Sequence, residues 1–149
     1  MKLRRTNLIR LIRYYPPYIG AGIRLREISP DIRRFVVEMK LRWYNRNLYG
    51  GHFGGSLYAM CDPFFAIIVY AYLGDQYIVL DKSASIQFKK QGRGTVRAIF
   101  QLEDDVLQAI KEEVDRNGKT TRSFTAQVLD DQGMTIAEVE KEIYVRKLN

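Results

Sequence analysis

A strict alternation of apolar and polar residues predicts β-strand for most of this chain. The clearest run covers residues 34–44, where charged residues occupy one face and apolar residues share the other: Phe35, Val37, Met39, Leu41 and Trp43. Five more runs have the same two-residue period, at 22–28, 77–89, 95–102, 120–129 and 134–146. In the run 77–89 one phase holds Ile78, Leu80, Ala84, Ile86 and Phe88, with Lys82 among them. Turn residues at 130–133 predict a hairpin between the last two strands.

Two amphipathic helices are predicted from apolar residues spaced three and four apart. The first covers residues 4–15, with a stripe of Leu8, Leu11, Ile12 and Tyr15 that ends before Pro16 and Pro17. We expect it to pack on the edge of the domain, and a helix lying on a membrane surface is the alternative. The second covers residues 104–117, with Asp104 placed to cap its start and Gly118 its end.

A third helix, over residues 57–73, is apolar nearly throughout, which raises the question of a membrane span. Asp62 and Pro63 lie inside it, and a charged group at membrane depth is costly. Because the rest of the chain has the pattern of amphipathic strands, we interpret this segment as a helix buried in a soluble core.

The order of these elements predicts a single α+β domain. Hairpin-connected strands favour a mostly antiparallel sheet, and one very apolar helix among six strands must be what that sheet wraps. We therefore expect an N-terminal amphipathic helix at residues 1–16 and a sheet-on-helix domain at residues 17–149.

Composition narrows the class of protein. The chain has 149 residues and one cysteine, Cys61, so no internal disulfide can form and a cysteine-rich metal site is disfavoured. The net charge is +7, and residues 1–50 hold twelve Lys and Arg against three Asp and Glu. Such a basic half suits phosphates, nucleic acid or an anionic membrane, but alternation of the basic residues with apolar ones also describes a solvated sheet face. No signal peptide is recognisable, and we expect a cytoplasmic protein.

The segment 45–63 holds the residues that can carry chemistry. Backbone N–H groups at the start of a helix have no intrahelical partner, and glycine lets another group approach them closely. Gly54, Gly55 and Ser56, which begin the apolar helix, are therefore a candidate anion or oxyanion site. A flexible loop whose glycines only satisfy tight turns is the alternative.

Asp62 is the candidate acid–base residue, because a carboxylate on a buried helix needs a partner or a cavity and burial raises its pKa. It could equally cap a kink at Pro63, whose missing N–H interrupts the helix. His52 is the only histidine, which excludes a two-histidine metal site. A triad of Ser56, His52 and Asp62 is less favoured, since Ser56 lacks the G-x-S-x-G context of a serine nucleophile.

At these residues the sequence resembles the active-site segment of hotdog-fold thioesterases related to phenylacetic-acid-pathway thioesterases. That pattern has an Asn, a Gly and then His-Gly-Gly, with an Asp seven residues after the second Gly. Gly55 and Asp62 have this spacing. The similarity is strongest to a largely uncharacterised bacterial hotdog family, through the runs at 42–47 and 52–63 and the later residues 81–82 and 92–94. It extends over about residues 17–146.

The resemblance implies a hotdog fold. It also implies a homodimer whose sheets join edge to edge, with active sites between the subunits. Two such dimers could pair into a dimer of dimers. Asp62 of one subunit is then the base or nucleophile of acyl-CoA hydrolysis. Asn47, His52 and the N–H of Gly54 or Gly55 from the other subunit bind the thioester carbonyl or the attacking water. Phe53 separates His52 from Gly54, so the histidine and the glycine pair cannot both keep that family's register.

Five further residues complete the predicted substrate site. Ser56 and Phe53 lie beside the glycines, and Lys89, Lys90 and Arg93 are placed to hold the CoA phosphates, with ordinary surface charge as the alternative. No metal and no cofactor are expected, and neither nucleic acid nor a membrane surface is an expected partner. The alternative function is binding of an acyl-CoA or acyl lipid without catalysis, because a fold does not determine a function.

Overall fold

One antiparallel sheet organises the chain in the computed structural model, which describes residues 2–149. Within that part of the chain six strands lie in the order β1-β2-β4-β5-β6-β3. The strands are β1 Ile23–Ile28, β2 Arg34–Lys40, β3 Tyr77–Phe88, β4 Thr95–Gln101, β5 Lys119–Leu129 and β6 Thr135–Lys147. The helices are α1 Lys2–Arg10, α2 Pro16–Ala21, α3 Gly54–Ala59, α4 Phe64–Leu73 and α5 Asp104–Asn117, with a 3₁₀ turn at Leu11–Tyr14. This is the predicted α+β architecture.

The core lies between the sheet and the helices α3 and α4. Phe35, Val37 and Met39 of β2 are fully buried, as their alternation predicts. The strand ends at Lys40, before the predicted bound, and Trp43 of the predicted inward face is exposed. Phe64 of α4 packs against Phe35 and Phe100, whose ring centroids are 5.2 and 5.0 Å away. Aromatic pairs at this spacing add to the apolar burial that stabilises the fold.

The predicted long apolar helix is interrupted at Pro63. α3 ends at Ala59 and α4 begins at Phe64, because a proline has no N–H to donate and its ring clashes with the carbonyl four residues back. The Asp62–Pro63 peptide bond is cis. Gly54–Leu73 as a whole is long and apolar enough to cross a membrane. Phe64, Ile68 and Val69 are nevertheless fully buried, so the segment is the core helix of the fold.

A β-bulge at Lys82 corrects the predicted phase of β3. Up to Asp81 the strand pairs with β6 in one register, and from Ser83 onward it pairs in another. The extra residue reverses which side chains point inward. After the bulge Ile86 packs on the core in the predicted phase, although Ala84 and Phe88 are exposed. Before it residues 78 and 80 are in the wrong phase: Leu80 is exposed and Asp81 contacts the buried Lys141 instead.

The N-terminal segment is three short helical pieces rather than one helix. After α1 the chain winds with three residues per turn, and Pro16 and Pro17 then start α2, because proline suits the first turn of a helix. The residues that pack on the core are Ile9 and Ile12, so only Ile12 of the predicted stripe faces inward. Its other members are exposed: Leu8, Leu11 and Tyr15. Met1 of the predicted segment lies outside the described residues.

The surface helix and the last hairpin follow the prediction closely. α5 has the predicted bounds and ends at Gly118, which adopts a left-handed conformation with φ of +82°. Glu103, rather than Asp104, is the flanking residue at its start, and the Asp104 carboxylate instead pairs with Arg33 at 2.8 Å. β5 and β6 pair across the turn at 130–133.

Candidate active site

A cavity of about 340 Å³ lies between the start of α3 and the end of β3. Five predicted site residues line it: Asn47, His52, Gly54, Lys89 and Lys90. Leu57 and Phe88 add apolar wall, and a concave site of this size with few polar groups suits a small molecule. The other predicted site residues lie outside this lining: Phe53, Gly55, Ser56, Asp62 and Arg93.

Asn47 and Arg93 hold the loop that precedes α3. Asn47 Oδ1 accepts hydrogen bonds from the N–H groups of Tyr49 and Gly51, and its Nδ2 donates to the carbonyl of His52 at 3.2 Å. Arg93 donates to the carbonyl of Tyr49 at 3.3 Å. Within one chain both side chains therefore shape one wall of the cavity.

His52 is buried at the cavity with one ring nitrogen in use. Its Nε2 is 2.8 Å from the carbonyl oxygen of Gly94, which can only accept, so Nε2 carries the proton. Burial lowers the pKa of His52 below its usual value, which keeps the ring neutral at pH 7. Nδ1 is then an acceptor, and it has no hydrogen-bond partner among the described residues. This nitrogen is itself buried from solvent, and as an acceptor it cannot bind a thioester carbonyl oxygen.

We expect nitrogen NMR at neutral pH to show the His52 ring as the Nε2–H tautomer, titrating below the ordinary value of about 6.5. The assignment is unambiguous because the chain has one histidine. A folded-state pKa below the unfolded one also means that the protein loses stability as the pH falls through this range. A ring that is charged at pH 7, or that carries its proton on Nδ1, would contradict this account.

The first N–H groups of α3 are uncapped. The Phe53 side chain makes no capping hydrogen bond, and Gly54 and Gly55 occupy the first turn, whose N–H groups have no intrahelical acceptor. A Cβ on Gly54 would stand 3.0 Å from the Phe88 ring, and one on Gly55 2.7 Å from the Phe53 ring. Any side chain there would displace an aromatic ring. Ser56 is buried behind them, and the two glycines offer adjacent backbone donors to an anionic oxygen.

Asp62 lies in the turn between α3 and α4. Its Oδ1 accepts a hydrogen bond from Nζ of Lys141 at 2.6 Å, and its backbone carbonyl accepts one from the hydroxyl of the buried Tyr18. The Asp62 side chain is 44% exposed, so it is less buried than its apolar neighbours in the sequence suggest. A carboxylate that is both anchored and reachable can act as a base or a nucleophile.

Lys141 links Asp62 to a second carboxylate, Asp81. Its side chain is 1% exposed, and its Nζ also lies 3.2 Å from the Tyr58 hydroxyl and 3.4 Å from Asp81. Burial lowers the pKa of Lys141, but the hydrogen bond to Asp62 and its charge outweigh this effect and the pKa is raised. Burial, opposed by Lys141, raises the pKa of Asp81. We call these three residues the Asp-Lys-Asp cluster.

The sequence prediction missed Lys141, although its position in β6 carries a signal. The strand alternates with Val139, Lys141 and Ile143 in one phase, and the two apolar residues are buried. A lysine in an inward phase needs a counter-ion, because an unpaired buried charge is expensive. Asp62 and Asp81 are the counter-ions here.

The site does not support a serine triad, a cysteine nucleophile or a bound metal ion among the described residues. Among the hydrogen bonds of the described residues none joins the Ser56 hydroxyl to His52 or Asp62, so the triad is not assembled within a chain. Burial raises the pKa of the Cys61 thiol to about 12, which keeps it un-ionised. Within residues 2–149 no group of three or more His, Cys, Asp or Glu is placed to hold a metal ion.

Asp62 and the first glycine N–H groups lie at opposite ends of α3 within one chain. The five residue steps from Gly54 to Ala59 span about 7.5 Å at a rise of 1.5 Å per residue, and Asp62 lies beyond them in the turn. A nucleophile and its oxyanion donors must each lie about 3 Å from the reacting group. One chain thus holds two half-sites: the glycine half-site with the cavity, and the aspartate half-site with the Asp-Lys-Asp cluster.

The sequence of this chain matches one protein family over most of its length. Residues 5–145 match the family described as a domain of unknown function, DUF4442. The chain belongs to this family. Among curated proteins, no sequence matches it.

Solved structures share the hotdog fold of this DUF4442 chain at low sequence identity. A Pseudomonas aeruginosa protein of unknown function, named as a probable thioesterase, has a TM-score of 0.82 with 20% identity over 95% of each chain. A Chlorobaculum tepidum protein of unknown function has a TM-score of 0.76 with 15% identity over 96% of this chain and 94% of that one. A Haemophilus influenzae thioesterase has a TM-score of 0.68 with 12% identity, over 96% and 90%. The predicted hotdog fold is confirmed, and the link to phenylacetic-acid-pathway thioesterases stays a prediction.

Proposed function

We propose that this DUF4442 protein is an acyl-CoA thioesterase in which Asp62 carries the reaction. The proposal rests on one observation above all: a half-exposed carboxylate is anchored by a buried lysine, Lys141, and follows directly on a helix that begins with two uncapped glycine N–H groups. The spacing from Gly55 to Asp62 supports it, as does a fold shared with structures that are named as thioesterases.

The two half-sites meet if two copies of the chain pair through β3. This strand of 12 residues is an edge of the sheet, with Leu80 and Phe88 exposed, and open edges invite pairing with another strand. α3 begins beside β3, where Gly54 approaches Phe88. A two-fold axis that pairs β3 with its own copy therefore sets the two α3 helices side by side and antiparallel. Asp62 of one subunit then approaches Gly54 of the other.

The proposed hydrolysis has two routes from the same carboxylate. As a base, Asp62 takes a proton from water, hydroxide adds to the carbonyl carbon, and the C–S bond breaks as CoA thiolate leaves and is protonated. As a nucleophile, Asp62 adds to the carbonyl, the thiolate leaves, and water hydrolyses the resulting anhydride. In both routes the N–H groups of Gly54 and Gly55 stabilise the oxyanion.

Lys89 and Lys90 are the residues that we assign to the CoA phosphates. Both line the cavity with exposed side chains, and their backbone N–H groups donate to the carbonyl of Ile136. Two cations fixed at a cavity rim attract a polyphosphate. Arg93 adds positive charge from the neighbouring loop. We place the protein in the cytoplasm, which agrees with one buried, unpaired cysteine.

Phe53 favours a second candidate function, binding of an acyl-CoA or acyl lipid without hydrolysis. Its exposed ring occupies the space in front of Gly55. A ring in that place can keep a thioester carbonyl away from the N–H donors while it contacts an acyl chain. This candidate needs the cavity but not Asp62.

A panel of acyl-CoA thioesters of increasing chain length tests the two candidates. Release of free CoA thiol measures hydrolysis, and calorimetry with the same compounds measures affinity. Turnover that depends on Asp62 supports the thioesterase, whereas affinity without turnover supports the binding protein. A protein with neither turnover of these thioesters nor affinity for them would contradict both candidate functions.

Mixed dimers test whether the site is shared between subunits. We expect Asp62→Asn and Gly54→Val homodimers to be inactive, and co-expression of the two chains to restore about a quarter of native activity. Each mixed dimer then has one site with both intact residues, and mixed dimers are about half of the population. A control co-expression of Asp62→Asn with the double variant Asp62→Asn/Gly54→Val is expected to stay inactive. Recovery no greater than this control would contradict a shared site.

A further inference from the structure

The N-terminal segment presents a row of large apolar side chains to solvent. Ile9 and Ile12 pack on the core and Tyr18 is buried in it, while the residues between them face outward. Each member of the outward set is at least half exposed, up to 68% for Leu8: Leu8, Leu11, Tyr14, Tyr15 and Ile19. A contiguous exposed apolar patch of this kind marks an interaction site on a soluble protein.

Basic side chains without acidic partners surround this row. A groove of about 480 Å³ runs from it to β1 and β2, and its lining contains Arg13, Arg24, Lys40 and Arg42. None of these four forms an ion pair with a residue in the described part of the chain. Glu38 in the same lining is already paired with Arg97 at 2.7 Å. The groove therefore carries a positive charge that the protein itself leaves unbalanced.

Two aromatic residues extend this surface. Tyr44 lines the same groove, and Trp43 packs edge-on against it with ring centroids 5.4 Å apart. Trp43 is 82% exposed. Tryptophan and tyrosine favour the boundary between the headgroups and the acyl chains of a bilayer. We call the apolar row, the four basic residues and these two aromatic residues the basic-apolar surface.

We propose that the basic-apolar surface docks on an anionic membrane. Leucine and isoleucine side chains are stabilised among acyl chains, while arginine and lysine reach lipid phosphates and lay their stems along the apolar layer. A nucleic acid would use the cations and the aromatic rings, but exposed Leu8, Leu11 and Ile19 offer it nothing. The segment packs on the domain through Ile9 and Ile12, and its outward residues also support the membrane-surface alternative that the sequence pattern left open. Docking does not depend on the proposed hydrolysis.

Flotation of the full-length protein with lipid vesicles tests the proposal. We expect binding to vesicles that contain phosphatidylglycerol and not to vesicles of phosphatidylcholine alone, with weaker binding as salt screens the phosphates. Trp43 is the only tryptophan of the chain, so its fluorescence reports on this surface alone. Its emission is expected to shift to shorter wavelength with anionic vesicles and to be quenched by brominated lipid.

Matched variants locate the contact. The triple variant Arg13→Gln/Arg24→Gln/Arg42→Gln is expected to bind about a hundredfold more weakly, because each basic side chain near an anionic surface contributes roughly a factor of five. A control triple variant, Arg116→Gln/Lys119→Gln/Arg146→Gln, removes the same charge elsewhere and is expected to bind like the native protein. Leu8→Ser/Leu11→Ser is expected to weaken binding, with exposed Ile99→Ser as its unaffected control.

Three outcomes would overturn the proposal. The first is absence of binding to anionic vesicles at low salt, or an equal loss of binding in the control triple variant. The second is binding to a single-stranded oligonucleotide in preference to vesicles, which would assign the surface to nucleic acid. The third is an oligomer that ignores vesicles and that Leu8→Ser/Leu11→Ser dissociates, which would assign the surface to a second copy of the chain.

Discussion

Asp62→Asn is expected to reduce kcat for acyl-CoA hydrolysis by about 10² to 10⁴-fold, the range typical for loss of a positioned base. The amide keeps an oxygen that can accept the hydrogen bond of Lys141, so the turn at Pro63 keeps its shape. Asn can neither take a proton from water at neutral pH nor attack the carbonyl with a charged oxygen. Steady-state kinetics on the best substrate of the acyl-CoA panel measure the effect.

Asp75→Asn is the matched control for this substitution. Asp75 follows α4 and pairs with Arg5 at the surface, and it contacts neither half-site, so its loss is expected to leave kcat unchanged. Near-ultraviolet circular dichroism compares the folds of the two variants. Hydrolysis that Asp62→Asn leaves undiminished would exclude the proposed chemistry. In ¹⁸O water, a single turnover that labels Asp62 itself would identify the nucleophilic route.

Lys141→Met is expected to lower the free energy of unfolding at pH 7 by about 3 kcal/mol, the low end for breaking a buried ion pair. The substitution keeps the apolar stem but leaves Asp62 and Asp81 facing each other without a cation. Asp62 can turn toward water, which is why the effect stays near the low end. For a chain of this length the melting temperature should fall by roughly 6 to 12 °C. Thermal and urea unfolding measure both quantities.

Three further measurements distinguish the loss of a charge from a loss of packing at Lys141. Lys147→Met removes an exposed lysine that pairs with Asp115, and a loss of less than about 1 kcal/mol is expected. Asp62→Asn/Lys141→Met/Asp81→Asn removes every charge of the cluster and is expected to recover most of the stability. Without Lys141 the pKa of Asp81 rises further, so the Lys141→Met protein is less destabilised at pH 4 than at pH 7. A loss equal at both pH values would point to packing rather than charge.

The strands could be predicted because the two-residue period is a local property of the sequence. β2 shows this best, since the alternating Phe35, Val37 and Met39 are buried as expected. In β3 the two-residue period alone does not determine which side chains point inward. The bulge at Lys82 depends on pairing with β6, a strand that is distant in sequence. Because of this one extra residue, the side chains before the bulge point to the opposite face from the predicted one. The 3₁₀ turn after α1 is a second departure from the predicted pattern, because the prediction continued one α-helix through these residues.

The glycines and Asp62 could be proposed together from sequence because they lie within nine residues of each other, at the start of α3 and in the turn that follows it. Lys141 is 79 residues from Asp62, and only the order of strands in the sheet shows that they meet. The role expected for His52 changed for a similar reason. Its partner Gly94 lies 42 residues away, and that carbonyl decides which ring nitrogen keeps the proton.

The hydroxyl of Tyr18 donates to the backbone carbonyl of Asp62, and its ring stacks on Phe64 with centroids 5.9 Å apart. α2 is therefore fixed to the turn that carries Asp62. A shortened protein that begins at the first strand would lose this support along with the membrane-facing residues. Its activity would then fall for a mechanical reason, and the loss would be mistaken for a need to reach the lipid. Point substitutions at the outward residues, which leave Tyr18 in place, separate these two effects.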